Sequence, residues 1–241
     1  MLLKPPRKFR YLVLVGFLGI SLPAAAQWTG KGEAGFAVTS GNSDTTTANA
    51  KIAVKRKVEA WEHSATLAGL YVRNDGATSA RRWEAGAQTR YGFGSGRTFW
   101  FGGARYEKDR FSGFAYQGIV NTGIGHKFID SEATKLSGLL GAGFKFAKAL
   151  DVLNEKENDA VATAGLDFSH QLTQWTSVFN KFAAETTSDN NFLQNELGLS
   201  VKMSDRLALA VGYAVRHNTD PPPGFRKTDT QSTVNLVYEV K

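Results

Sequence analysis

Residues 207–241 restrict the possible folds more than any other stretch. Leu207, Leu209, Val211, Tyr213 and Val215 alternate with Ala208, Ala210, Gly212, Ala214 and Arg216. After a polar, proline-rich connection, Thr230, Ser232, Val234, Leu236, Tyr238 and Val240 alternate with Asp229, Gln231, Thr233, Asn235, Val237 and Glu239. A period of two sends successive side chains to opposite faces, which defines a β-strand and excludes an amphipathic helix. Each run has about ten residues, the length that a tilted strand needs to cross a bilayer. In both, one face is apolar and the other polar. The hairpin has the pattern of two neighbouring staves of a transmembrane barrel.

The N-terminal stretch predicts the compartment. Lys4, Arg7, Lys8 and Arg10 precede an apolar segment, 11–22, and Pro23-Ala24-Ala25-Ala26 supplies small residues for cleavage after Ala26. That order is a secretory signal peptide, too short to serve as a spanning helix. Residues 27–241 then form one domain, with no linker or shift in composition to divide it. With no cysteine there is neither a lipoprotein acylation site nor a disulfide framework. The whole chain has a formal net charge of +7. Removing the four basic residues of the leader leaves +3, mixed in sign along the chain. Without a basic stripe, nucleic acid is not an expected partner.

Shorter alternating runs fill the interval between the leader and the closing hairpin. In 82–93, Trp83, Ala85, Ala87, Tyr91 and Phe93 oppose Arg82, Glu84, Gln88 and Arg90. In 98–108, Trp100, Gly102, Ala104 and Tyr106 oppose Arg105 and Glu107; in 192–202, Leu193, Leu197, Leu199 and Val201 oppose Gln194 and Glu196. The count comes to twelve strands. The fold class expected is all-β, a transmembrane antiparallel up-and-down barrel with both termini periplasmic. Such a barrel has short turns at the end that holds the termini and longer loops at the other. Longer connections are expected at Asn74, Phe111, Asp151 and Pro222. Aromatic residues favour the headgroup level. Trp28, Trp61, Phe93, Trp100, Phe128, Trp175 and Tyr238 are placed at the terminus end, and Tyr71, Trp83, Tyr106, Tyr116, Phe146 and Phe192 at the opposite end.

Three motifs carry a family resemblance. They are Gly41-Asn42-Ser43-Asp44-Thr45, Arg105-Tyr106-Glu107-Lys108-Asp109-Arg110-Phe111-Ser112-Gly113-Phe114 and Arg216-His217-Asn218-Thr219-Asp220-Pro221-Pro222-Pro223-Gly224. With them the chain resembles the YdiY-like family, catalogued as salt-induced outer-membrane proteins and filed as a domain of unknown function. The resemblance implies an outer-membrane barrel and a link to salt stress. It brings no catalytic or binding residues. One departure is the C-terminal Tyr238-Glu239-Val240-Lys241, where outer-membrane strands often end in an aromatic residue.

Alternation nominates the residues that face the lumen: Glu33, Lys51, Arg82, Glu84, Arg90, Arg105, Glu107, Lys145, Asp167, Lys181 and Glu196. Two readings satisfy them. One is a narrow, slightly basic channel for small, anionic solutes; the other is a closed lumen held by ion pairs, in a structural or surface-binding protein. A third reading, an outer-leaflet lipid hydrolase, would use Ser232 as nucleophile, His217 as base and Asn195 as orienter. No elbow motif surrounds the serine, and no enzyme is expected. Asp151, Glu155, Glu157 and Asp159 lack the ligand order of a calcium loop, so neither metal nor cofactor is expected. The expected partners are outer-membrane lipid and lipopolysaccharide, the outer-membrane assembly machinery and small solutes.

Overall fold

The computed structural model describes residues 27–39, 45–109, 114–150, 156–222 and 224–240. The predicted leader, the Gly41 turn, Phe111 and Asp151 lie outside them. The described residues form twelve strands: β1 Gln27–Thr39, β2 Thr45–Val58, β3 Trp61–Asn74, β4 Ala77–Phe93, β5 Thr98–Asp109, β6 Phe114–Asp130, β7 Thr134–Ala149, β8 Lys156–Gln171, β9 Thr176–Thr186, β10 Asn191–Lys202, β11 Leu207–Asn218 and β12 Thr228–Val240. Each pairs antiparallel with its sequence neighbours, and β1 closes on β12 to complete a barrel. Closure satisfies the edge groups that an open sheet would leave bare. No described helix is long and apolar enough to cross a membrane.

Apolar residues cover the outside. Phe36, Leu140 and Phe144 are each 72% exposed, and Ile52, Leu67, Val120, Ile124, Leu197 and Val234 are exposed beside them. A soluble sheet would turn those positions toward a core. Here the inward set is polar or small, and a few large residues, Phe99 and Phe101 among them, are buried inside. The ring of Phe101 lies 2.8 Å from where a Cβ would stand on Gly123 and on Gly141, so glycine in β6 and β7 makes room for aromatic bulk from β5.

The seam between β1 and β12 is short: Gly30–Ala34 pair with Val240–Leu236, whereas β1 and β2 pair along the whole of β1. Just past the seam, Asn49 Nδ2 of β2 donates to Asn235 Oδ1 of β12 at 2.8 Å, crossing β1 above Gly35.

Two expectations need correction. The β3–β4 connection at Asn74 is short: Asp75 and Gly76, with φ of +46° and +82°, make a two-residue turn. Asp-Gly suits that mirror-image geometry, so both strands extend to meet it. Phe192 does not join the outer aromatic girdle. It shares parity with Gln194 and Glu196, points into the lumen and is 7% exposed.

Candidate functional site: a charged lumen barred at one end

The turns at the terminus end span at most four residues, whereas 219–227 at the other end span nine. Near that second end, here the loop end, charged side chains reach across the barrel. β5 and β11 stand six strands apart in a ring of twelve, diametrically opposed. Arg216 of β11 nevertheless donates through Nη2 to both carboxylate oxygens of Glu107 on β5, at 2.9 and 2.7 Å. Its Nη1 lies 3.7 Å from Asp109. Arg105 of β5 pairs with Glu185 of β9, four strands away, and lies 3.5 Å from Glu107 and 3.9 Å from Glu84. Arg82 of β4 donates to Gln231 of β12 at 3.2 Å.

Aromatic rings and a further amide complete this layer. Arg216 and Arg105 sit over Phe192 at 5.0 and 5.9 Å from the ring centre, and Lys145 over Phe114 at 5.5 Å. Gln117 donates to Glu107 at 3.0 Å. Glu107 is fully buried and Lys145 is 5% exposed. Charges so withdrawn from water persist only when paired and hydrogen-bonded. The result, among the described residues, is a bar of strand side chains across the lumen. Two buried atoms in it, Glu185 Oε2 and Arg216 Nε, lack a hydrogen-bond partner among the described residues.

Reaching up to Arg82, Arg105 and Glu185 of the bar lies a lumenal cavity of about 540 Å³. Nine of the eleven sequence-nominated residues line it: Glu33, Lys51, Arg82, Glu84, Arg90, Arg105, Asp167, Lys181 and Glu196. The other two, Glu107 and Lys145, are buried within the bar. The wall's described charges balance: Lys51, Arg82, Arg90, Arg105 and Lys181 stand against Glu33, Glu84, Asp167, Glu185 and Glu196. Adjacent strands place opposite charges level with each other, Glu33 with Lys51, and Lys181 with both Asp167 and Glu196. The wall is therefore electrically even.

The sequence nomination passes over several members of this site. Phe99 and Phe101 share the parity of Arg105 and Glu107, a signal that reads them inward, and both are buried. Asp109 and Phe114 fall in a stretch read as loop, yet one ends β5 and the other begins β6.

The nominated hydrolase residues are not brought together. Ser232 stands level with Tyr213 and His217 with Thr228, four residues away along β12, about 13 Å at strand rise. Asn195 is engaged with Asn180, the two side-chain amides exchanging hydrogen bonds at 3.1 and 3.2 Å. His217 Nδ1 pairs with the Thr228 hydroxyl at 2.8 Å. His63, His126 and His170 repeat that pairing with Thr89, Thr98 and Thr134 on adjacent strands, so His217 follows a structural pattern. No described group of His, Asp or Glu residues is arranged to hold a metal ion.

Comparison with known proteins bears on the fold and the family. The NanC porin superposes with a TM-score of 0.55 at 8% identity, covering 89% of this chain and all of that one. An outer membrane channel from Pseudomonas putida F1 gives a TM-score of 0.55 at 11% identity, covering 91% and 97%. At such identities the likeness is one of fold. In sequence, the chain is 26% identical to the uncharacterized protein YdiY of Escherichia coli (strain K12) over 226 residues, 90% of this chain and 86% of the relative. The family described as "Protein of unknown function, DUF481" matches residues 32–240, and the chain belongs to it.

Proposed function

We propose that this protein is an outer-membrane barrel whose lumen is a narrow conduit for small polar solutes, closed in this conformation by the cross-lumen bar. The carrying observation is the charged cavity beneath that bar. A barrel serving only as a structural cylinder has no need of an unfilled, charge-lined space of 540 Å³. The even balance of wall charge favours a weakly selective path over a strictly anionic one. The exposed apolar belt supports a membrane location, and the porin-like fold points to the outer membrane. The nine-residue connection, 219–227, favours loops outside and termini in the periplasm. Any response to salt would act through expression or through the screening of these ion pairs.

The opposing reading, a permanently closed lumen, draws on the same Arg216–Glu107 pair. Planar-bilayer recording separates the two. Native barrel should give small, infrequent steps, and Glu107→Gln with Arg216→Gln should enlarge them severalfold. Silence from both proteins, each verified as folded, would establish the closed cylinder instead. No catalytic role enters this reading; hydrolysis of outer-leaflet lipid by the purified barrel would overturn that part.

A further inference from the structure

Near the loop end, the outward face is sharply unequal in charge. Toward the loop end of β3, β4, β5, β7 and β8 stand Arg73, Arg81, Lys108, Lys148 and Lys156. Register shows where they point. Arg81 is level with Tyr71, Lys108 with Trp83 and Lys148 with Tyr116, all aromatic residues of the outer face. Around the rest of the rim, Thr186, Asn191, His217, Thr228 and Thr46 hold the corresponding outward places on the strands, and the basic residues of that half, Arg226 and Lys227, lie in the β11–β12 connection. Lys148 and Lys156 are direct partners across β7 and β8. Like charges in that position destabilise a sheet. No ion pair among the described residues reaches Arg81, Lys108, Lys148 or Lys156. An anion brought from outside the barrel would relieve that repulsion.

Directly beneath these cations lies an aromatic layer. Trp83 and Tyr106 have ring centres 5.2 Å apart, and Tyr106 stacks on Tyr116 at 6.0 Å. Beneath the rings the outer wall is concave. Ala85, Ala87 and Ala104 floor a hollow of about 300 Å³, with Tyr106, Val120 and Phe146 at its sides. From the rim inward the face thus presents positive charge, flat rings and an apolar slot. A phosphorylated lipid presents phosphate, a polar junction and an acyl chain in the same order.

We infer that this sector, β3 to β8, is a binding face for a multiply phosphorylated lipid of the surrounding leaflet, with its phosphates along the row Arg81, Lys108, Lys148 and Lys156 and one acyl chain in the alanine-floored hollow. The inference rests on the membrane-spanning reading. Charge complementarity selects the headgroup and the hollow selects a lipid over free phosphate. Each cation removed should weaken retention about fivefold, the usual worth of one basic side chain near an anionic surface.

Native mass spectrometry of the full barrel in neutral detergent tests it, with diphosphoryl lipid A as probe and phosphatidylethanolamine as competitor. The native barrel should retain lipid A in preference, even against excess inorganic phosphate. K108Q/K148Q/K156Q should lose roughly a hundredfold in retention, and Ala104→Phe, which fills the hollow without touching a charge, should also weaken it. Arg56→Gln, an outward-facing arginine at the terminus end, should leave retention unchanged. Equal retention by the native barrel and the triple variant, displacement by inorganic phosphate, or an equal loss in Arg56→Gln would overturn the inference. Flotation of the same barrel with neutral-lipid vesicles keeps the two readings distinct. Insertion without preference for lipid A rejects the binding face alone, whereas failure to insert rejects the membrane reading and this inference with it.

Discussion

Gly35 shows how much a single residue can decide in a closed sheet. It lies in β1 beside the short seam, and the Asn49–Asn235 hydrogen bond of 2.8 Å passes over it from β2 to β12. A Cβ there would collide with both amide oxygens and stand 2.6 Å from the carbonyl of Val234. Gly35→Ala should break the amide bridge and leave half-buried polar groups unpaired, costing about 1–3 kcal/mol. The urea midpoint of the barrel refolded in vesicles measures this; an unchanged midpoint would show that the bridge does not secure the seam. Glu107 poses the complementary question inside the lumen. Glu107→Leu removes the carboxylate that takes both hydrogen bonds of Arg216 Nη2, leaving Asp109 3.7 Å from Nη1; it should cost about 3–5 kcal/mol, whereas Glu107→Leu with Arg216→Leu should recover most of that. A double-mutant cycle reads the coupling directly. Additive losses would mean that the pair does not hold the bar together.

Turns and strands are the level at which the chain was most legible, and also where its reading failed in an instructive way. The alternation of 207–216 and 229–240 places Leu209, Val211 and Val234 outward, as β11 and β12 present them. Parity fails where the pairing slips. Register shifts lie between Val72 and Arg73, Phe114 and Tyr116, and Lys127 and Ile129, and each inserts a residue that period-two reading cannot anticipate. The cross-lumen partners were illegible for a different reason. Nothing local tells Glu107 that it will meet Arg216, since strand tilt and stagger decide which levels face each other across a barrel. The β3–β4 turn offers a test at this scale. Gly76, at φ +82°, occupies backbone space that an L side chain rarely adopts. Gly76→Ala should destabilise the barrel by about 1 kcal/mol, again visible in the urea midpoint. An unshifted value would mean that Asp75 alone can direct the reversal.

For the whole molecule, what matters is the depth at which the cylinder sits. Its outward aromatic residues form two tiers, one near the terminus end with Trp61, Tyr91 and Trp100, and one near the loop end with Tyr71, Trp83 and Tyr106. Trp83 is level with Gly69, eight residues along β3 from Trp61. At about 3.3 Å per residue and a tilt of about 40°, the two indoles stand roughly 20 Å apart along the barrel axis, slightly less than the apolar band of an outer membrane. Both should therefore lie just inside opposite headgroup layers, with Ile52, Leu67 and Val120 in the hydrocarbon between. Variants keeping only Trp61 or only Trp83, with the remaining tryptophans changed to phenylalanine, isolate each tier. In vesicles, a quencher carried near the headgroup should dim both strongly, and one carried at the acyl-chain end should act weakly on either. If a single tryptophan responded mainly to the deep quencher, the cylinder would sit off-centre and the cations of β3 to β8 would miss the phosphate layer. If neither responded to any lipid-borne quencher, the apolar belt would have to be covered by another protein surface, and a membrane-spanning barrel would no longer describe the molecule.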